Sequence, residues 1–188
     1  MRITGGMFRG RRLQSVQAAV LRPTQDRVRE ALFSALADAL PGCSFLDLYA
    51  GTGSVGIEAW SRGAARVCWV EGNRRIFSVL ERNVRDLADA VGGVTLEPRC
   101  MNAVAFFRQV QAGQFDIVYA DPPYARNRNE AETVLPLLAG SPLLRAGGLM
   151  VLEQGADEAA PEHPAWDMLR ERRYGSSMLR FFRMKGQT

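Results

Sequence analysis

The sequence predicts an α/β protein built on a doubly wound, mostly parallel seven-stranded sheet whose last strand is antiparallel, preceded by an N-terminal β-hairpin. Two observations predict the sheet. From Ser44 onward, short apolar runs alternate with segments of helical periodicity, as parallel strands joined by crossover helices require. The chain ends differently, in two strand-like segments, residues 168–174 and 178–183, joined by Gly175 and Ser176. That connection is too short for a crossover helix, so a hairpin and an antiparallel last strand are expected.

Five apolar runs mark the other strands. Residues 45–49, 66–70, 94–96 and 115–119 are each followed by ten or more residues of helical or mixed pattern. Residues 149–152 follow a predicted turn at Gly147 and Gly148. Because crossover helices join parallel strands, these five runs are expected to lie parallel in one sheet.

The first twenty residues differ from the rest of the chain. Gly5, Gly6 and Gly10 separate short half-apolar stretches, which predicts the hairpin. A helix then follows from an N-cap at Thr24 to Pro41, with apolar residues at every fourth position. We therefore divide the chain into a basic arm, residues 1–20, and a domain, residues 21–188, that is expected to fold without the arm.

The composition excludes several classes of protein. The chain has 188 residues, 47% of them hydrophobic, without an apolar run long enough for a membrane helix or a secretion signal. Three cysteines lack C-x-x-C spacing, and one histidine cannot complete a zinc site. We expect a cytoplasmic, monomeric protein with no metal and no contact with membranes.

Positive charge is concentrated at the start of the chain. Residues 1–30 contain seven arginines and two acids, whereas the whole chain has a net charge of +4, so the remainder is close to neutral. Arginine makes forked bonds to phosphate and stacks on bases. The residues expected to bind nucleic acid are Arg2, Arg9, Arg11, Arg12, Arg22, Arg27 and Arg29.

A glycine-rich segment, residues 47–56, begins in the first predicted strand. Its glycines let a ligand lie against the backbone, and Glu71, ending the next strand, can accept both hydroxyls of a ribose. Gly51, Gly53 and Gly56 also satisfy G-x-G-x-x-G, which a nicotinamide dinucleotide would fit as well. Asp47, able to hold an amino group through water, favours S-adenosylmethionine instead.

A second motif, Asp121-Pro122-Pro123-Tyr124, follows the fourth predicted strand, at the edge where open α/β sheets bind ligands. An exocyclic amine of a base is a poor nucleophile because its lone pair is delocalised into the ring. The Asp121 side chain and the Pro122 carbonyl can accept its hydrogens, and Tyr124 can stack on the base. Acceptors so placed favour the pyramidal amine, and they predict methyl transfer to it without a general base.

Four segments of the chain, residues 2–13, 22–33, 47–64 and 121–124, together resemble the bacterial RsmD-type family of small-subunit ribosomal RNA guanine-N2 methyltransferases. The first two segments are the specific ones, since the last two occur in many amino-methyltransferases. The resemblance implies a class I S-adenosylmethionine-dependent methyltransferase fold. It also implies methylation of guanine 966 of 16S rRNA at N2, within a small-subunit assembly particle.

The predicted site combines the motifs with the resemblance. The catalytic residues are Asp121, Pro122, Pro123 and Tyr124. The cofactor is expected to contact Asp47, Ala50, Gly51, Thr52, Gly53, Glu71, Asn102, Ala103 and Asp121. The family usually has an acid near the end of the third strand to meet the adenine amino group of the cofactor. Asn102 stands there in this chain, so a somewhat weaker cofactor affinity is expected.

Two other functions stay open. An adenine-N6 methyltransferase of DNA or of another RNA would use the same residues 121–124. A basic RNA-binding protein with a vestigial cofactor fold would account for the arginines, but the motif residues are intact. Methylation of a pyrimidine at C5 is excluded, because it needs a nucleophilic cysteine and none lies in or next to residues 121–124.

Overall fold

The structure is a computed structural model that describes residues 1–16, 23–88, 92–109, 114–122 and 129–186. In these residues one sheet contains β1 (Ser44–Leu48), β2 (Arg66–Glu71), β3 (Thr95–Cys100), β4 (Phe115–Ala120), β5 (Leu144–Gly155), β6 (Trp166–Tyr174) and β7 (Ser177–Met184). The helices are α1 (Pro23–Ala35), α2 (Ser54–Ser61), α3 (Arg74–Ala88), α4 (Ala103–Phe107) and α5 (Asn129–Ala139), with a short 3-10 helix at Ala37–Ala39.

The strands lie in the order β3-β2-β1-β4-β5-β7-β6. The first five are parallel, and β7 is antiparallel to both of its neighbours, as the sequence predicts. The chain winds outward from β1 to β3 and then returns to place β4 on the other side of β1. This reversal brings the carboxyl ends of β1 and β4 together, with Asp47 opposite Tyr119 in register, and sheets of this kind bind ligands at such a point.

Helices cover both faces of the sheet. Phe45 and Ile117 pack on one face with residues of α1, α2 and α3, whereas Leu46 and Val118 pack on the other with residues of α4 and α5. A strand covered on both sides is buried at every position, which explains why β1 is an almost continuous apolar run. Asp47 is the charged exception in that run, and its burial therefore needs a reason.

Two predicted boundaries are wrong. Helix α1 begins at Pro23, so Thr24 lies inside the helix and is not its N-cap, and α1 ends at Ala35 before the short 3-10 helix. Proline suits the first helical position because its fixed φ is already helical. Strand β5 begins at Leu144, not after Gly147 and Gly148, because these glycines lie inside the strand where its register with β4 shifts.

Residues 1–13 turn back on themselves as predicted, but they form a single antiparallel bridge and not a regular hairpin. The bridge pairs Arg2 with Arg12, and the amide of Ile3 donates to the carbonyl of Arg11 at 3.0 Å. The amide of Leu13 also donates to the carbonyl of Met1 at 3.0 Å. The segment is thus a closed loop held by its own backbone.

This N-terminal segment is part of the domain core. Ile3, Phe8 and Leu13 are buried with residues of α1, α2 and α3, and the Phe8 ring meets Trp60 edge-on with centroids 4.7 Å apart. Burying each such side chain contributes on the order of 1.5–3 kcal/mol. Removing residues 1–13 would therefore expose apolar surface of the core, and a domain that folds without them stays a prediction. Residues 17–22, where the predicted boundary falls, lie outside the described residues.

Across the part of the chain that the structure describes, no helix is both long and apolar enough to span a bilayer.

Candidate active site

The loop between β1 and α2, residues 49–53, runs along the carboxyl edge of the sheet. Its backbone is left-handed at Tyr49, Gly51 and Gly53, with φ of 60°, 57° and 85°. At Gly51 no atom lies within 4 Å of the point where a Cβ would stand, so this side of the loop is open. A ligand can approach the backbone closely here. The loop also holds two further residues predicted to contact the cofactor, Ala50 and Thr52.

Glu71 ends β2 and fixes this loop. Its Oε2 accepts a hydrogen bond from the amide of Gly51 at 2.9 Å, and its Oε1 accepts one from the amide of Asn73 at 2.6 Å. A carboxylate has about four lone-pair positions, so both oxygens can accept further donors. Glu71 is therefore able to bind two ribose hydroxyls while it holds the loop.

Asn83, on α3, is a second support of the loop and was not among the predicted site residues. Its side chain is buried, and its Nδ2 donates to the carbonyls of Thr52 and Gln14 at 2.9 and 3.1 Å. Its Oδ1 accepts from the amide of Gln14 at 2.8 Å. The sequence does indicate such a role, because Asn83 is a polar residue on the otherwise apolar face of the helix after β2. The side-chain amide of Asn83 thus joins the loop to Gln14, the residue directly after the N-terminal segment.

Asp47 lies beneath the loop and is 1% exposed. Its Oδ2 accepts a hydrogen bond from the amide of Gly56 at 2.8 Å, which holds the first turn of α2 against the end of β1. Burial raises the pKa of Asp47 from 3.8 to about 7; the charge of Glu71 adds to the rise and the Gly56 amide opposes it. A cation brought near this carboxyl would restore its charge.

Gly56, the third glycine of the motif, serves packing. A Cβ on Gly56 would collide with the indole ring of Trp69 on β2. The Trp69 Nε1 in turn donates to the carbonyl of Gly53 at 3.2 Å. The third glycine therefore lets α2 lie close to the sheet, and its presence does not distinguish one ligand from another.

Asn102 and Ala103 follow β3, beside Glu71 and Gly72. A Cβ on Gly72 would stand 3.6 Å from the Asn102 Cα, which places the ends of β2 and β3 side by side. The exposed Asn102 caps α4, since its Oδ1 accepts from the amide of Ala105 at 2.7 Å. A carbonyl oxygen has a second lone pair. Asn102 can therefore cap the helix and still accept a hydrogen bond from the adenine amino group of the cofactor, the role that the sequence predicts for it.

Asp121 follows β4 directly, and its side chain is partly exposed. Burial raises the pKa of Asp121 well above its usual value, and the neighbouring carboxyls of Glu153 and Asp47 raise it further. Pro122 is buried. Pro123 and Tyr124, the other two predicted catalytic residues, lie outside the described residues.

Glu153, on β5, completes this group of acids and was not predicted. The buried hydroxyl of Tyr119 donates to its Oε2 at 2.6 Å. Burial raises the pKa of Glu153, whereas the hydroxyls of Tyr119 and of the nearby Ser177 on β7 act against the rise. The sequence shows the same pattern here as at Asp121, an acid directly after an apolar strand run, although Glu153 was not among the predicted site residues.

The predicted nucleic-acid surface is mostly exposed. Arg2, Arg9, Arg11, Arg12 and Arg27 are exposed, and Arg22 lies outside the described residues.

Arg29 is a correction to that predicted surface. It is 4% exposed, its guanidinium donates to the carbonyl of Arg2 at 2.6 Å and to Asp26 at 2.9 Å, and its Nε is 3.4 Å from the buried carboxylate of Glu58. Arg29 therefore binds the N-terminal segment to α1 and is not available to contact nucleic acid.

The acids at the carboxyl edge of the sheet distinguish between the two candidate cofactors, a nicotinamide dinucleotide and S-adenosylmethionine. Asp47, Glu71, Asp121 and Glu153 all lie at or near the carboxyl edge of adjacent strands. The pyrophosphate of a dinucleotide would bring negative charges to these acids. S-adenosylmethionine carries a positive sulfonium and an amino group, together with ribose hydroxyls, which this set of acceptors matches.

The strand order and this edge define a class I S-adenosylmethionine-dependent methyltransferase. A solved structure of yhhF from Escherichia coli matches all of this chain and 99% of its own, with a TM-score of 0.86 at 34% identity. The fold also matches magnesium protoporphyrin IX methyltransferase (ChlM) from Synechocystis PCC 6803, solved with bound SAM, with a TM-score of 0.66 at 17% identity over 96% of this chain and 87% of that one. The predicted fold class is confirmed.

Sequence comparisons identify the family. The family model described as "conserved hypothetical protein 95" matches residues 1–183. The ribosomal RNA small subunit methyltransferase D of Escherichia coli (strain K12) is 34% identical over 188 residues, which cover all of this chain and 91% of the relative. The chain belongs to this RsmD-type family of methyltransferases, and S-adenosylmethionine is its cofactor.

Proposed function

We propose that this protein transfers a methyl group from S-adenosylmethionine to the exocyclic N2 amine of a guanine in 16S rRNA, during assembly of the small subunit. The observation that carries the proposal is the position of Asp121 and Pro122. They follow β4 at the point where the glycine loop follows β1, so the groups that hold the amine and the groups that hold the cofactor share one edge. The name of the Escherichia coli relative supports ribosomal RNA as the substrate.

The residues of this chain place the cofactor. Glu71 accepts the ribose hydroxyls, Asn102 accepts from the adenine amino group, and Asp47 balances the amino group of the methionine portion. The open side of the loop at Gly51 receives the cofactor backbone. When bound, the cofactor supplies an electrophilic methyl group on a positively charged sulfur.

The target amine is held by two acceptors. Asp121 accepts one N2 hydrogen through its side chain, and the Pro122 carbonyl accepts the other. Both bonds favour the pyramidal amine, whose lone pair is free to attack, so they lower the barrier by preorganised electrostatics. Once methylated, N2 carries one proton too many and releases it to solvent. Holding the amine next to the methyl group contributes further through proximity. Tyr124 stays a prediction as the stacking partner of a base turned out of its strand.

The exposed arginines of the N-terminal segment are proposed to bind the RNA backbone. Arg2, Arg9, Arg11 and Arg12 lie on one short segment, and Arg27 lies on α1. Phosphate contacts of this kind position the RNA, while the pocket after β4 reads the base. The proposal keeps the sequence-based expectations of a monomer that needs no metal and acts in the cytoplasm.

The test is transfer of a radiolabelled methyl group from S-adenosylmethionine to small ribosomal subunits that lack the modification, followed by nucleoside analysis. We expect label in N2-methylguanosine, at the guanine 966 implied by the family. Label in N6-methyladenosine would replace the proposal by the adenine alternative. No label with either subunits or naked 16S rRNA, from protein that binds the cofactor, would favour the non-catalytic alternative.

A further inference from the structure

Glu153 lies beside Asp121 at the same edge. Ala120 of β4 pairs with Leu152 of β5, so the next positions along the two parallel strands are Asp121 and Glu153. Neighbouring strands are about 4.8 Å apart, which puts the two carboxyl groups within reach of one small ligand. Both side chains are partly exposed, unlike the buried Asp47. A ligand that reaches Asp121 therefore also meets Glu153.

The Glu153 carboxyl is held in place from the interior. The Tyr119 hydroxyl that donates to its Oε2 at 2.6 Å belongs to a side chain that is 2% exposed. A donor such as this one favours the charged form of a carboxyl and fixes its orientation. Glu153 is thus a preorganised hydrogen-bond acceptor at the edge, next to the acid that the proposed reaction uses.

The proposed reaction assigns no hydrogen bond to Glu153. Asp121 and Pro122 account for the two hydrogens on N2. Guanine carries one more donor on the same edge, the N1–H next to the C2 amine. Adenine carries an amine next to an unprotonated N1, which is an acceptor. An acceptor beside Asp121 therefore meets a donor if the base is guanine and a lone pair if it is adenine.

We propose that Glu153 accepts the N1–H of the target guanine and thereby makes the site specific for guanine over bases with an unprotonated N1. This inference rests on the proposed function, because it assigns the base recognised by the same site. A site built to bond a substrate N–H rejects an analogue that lacks it, since the acceptor is then left without a partner. A base without that N–H leaves the acceptor unpaired, so the preference for guanine should be about 10- to 100-fold.

The experiment compares two RNA substrates that differ only at N1 and C6 of the target base. One carries guanine, and the other carries 2-aminopurine, which keeps the C2 amine but has an unprotonated N1. Wild-type protein should methylate the guanine RNA about 10- to 100-fold more efficiently, measured as the ratio of the two kcat/KM values. Glu153→Gln should lower that ratio about tenfold or more, because an amide can donate to the unprotonated N1 of 2-aminopurine.

Two further variants separate specificity from folding. Glu162→Gln makes the same chemical change at an exposed position outside the site and should leave the ratio unchanged. Tyr119→Phe removes the donor that holds Glu153 and should lower the ratio by a smaller factor. Because the ratio compares two substrates on one protein preparation, a loss of folded protein does not alter it.

The outcomes distinguish this inference from the proposed function. If wild-type protein methylates guanine but treats 2-aminopurine equally well, the role of Glu153 is refuted and the proposed function stands. The same holds if Glu153→Gln reduces both activities by one factor. If wild-type protein methylates no guanine in the RNA, the proposed function fails and this inference fails with it.

Discussion

The fully buried carboxylate of Glu58 on α2 accepts hydrogen bonds from both the backbone amide and the hydroxyl of Thr4, at 2.9 and 2.8 Å. The amide of Gly5 adds a third bond at 2.7 Å, and the guanidinium of Arg62 adds a fourth at 2.9 Å. The helix that follows the cofactor loop is therefore bound directly to the N-terminal segment.

Glu58→Ala should lower the free energy of unfolding by about 3–5 kcal/mol, because the amides of Thr4 and Gly5 lose their acceptor and the buried Arg29 guanidinium loses one of its two acids. Urea titration measures this change. Glu162→Ala, at an exposed position, should change stability by about 0.5 kcal/mol or less. A similar small effect for both variants would show that the N-terminal segment is attached to α2 in some other way.

Glu71→Ala should raise the dissociation constant of S-adenosylhomocysteine about tenfold or more, the scale of losing a charge-assisted hydrogen bond. The variant loses the ribose acceptor and also frees the Gly51 amide. Calorimetric titration provides the measurement, with Glu81→Ala on α3 as the control. Unchanged affinity would place the ribose elsewhere.

Affinity for S-adenosylhomocysteine should increase with pH through the raised pKa of Asp47, about 7. Below that pH the carboxyl is neutral, and binding the ligand's ammonium requires it to lose a proton. At pH 8 the carboxyl is almost fully charged, whereas pH 6 lies about one unit below its pKa. We therefore expect the dissociation constant to be about tenfold higher at pH 6 than at pH 8. Asp47→Asn cannot titrate at this position and should flatten the dependence; an equally steep profile in the variant would assign the titration to another group.

Asp121→Ala should abolish methyl transfer while cofactor affinity weakens only modestly, because Asp121 faces the target amine. Single-turnover assays with saturating cofactor separate the two effects. Near wild-type turnover would refute the assigned role of Asp121 in holding the amine.

Replacing Arg9 and Arg11 by glutamine should weaken RNA binding and flatten its dependence on salt. Each lost phosphate contact on single-stranded RNA changes the slope of log K against log salt by about 0.7. Titrations of the small subunit at several salt concentrations measure the slope. The matched control changes Arg172 and Arg173, which are exposed on β6. If the control pair flattened the slope equally, the positive surface would extend to the end of the chain.

The sheet could be predicted because its strands are buried on both faces, and a run such as Phe45 to Leu48 leaves little choice of structure. The ends of elements depend on weaker local preferences, so the start of α1 and of β5 were misplaced. Arg29 looked like its exposed neighbours in sequence, since its partner Glu58 comes from a distant helix. Asn83 and Glu153 differ from Arg29, because each is a polar residue in an apolar pattern that the sequence already shows; only their partners, Thr52 and Tyr119, require the folded chain.

The contacts of residues 1–16 also set the order in which this protein can fold during synthesis. These residues leave the ribosome before their partners, because Thr4 bonds to Glu58, Phe8 to Ser61 and Gln14 to Asn83. Glu58 and Ser61 exist only after β1 has been made, and Asn83 exists only after β2 as well. Residues 1–16 therefore wait for their native contacts while β1 and the segments after it are translated, and they are among the parts of this domain that complete their structure late.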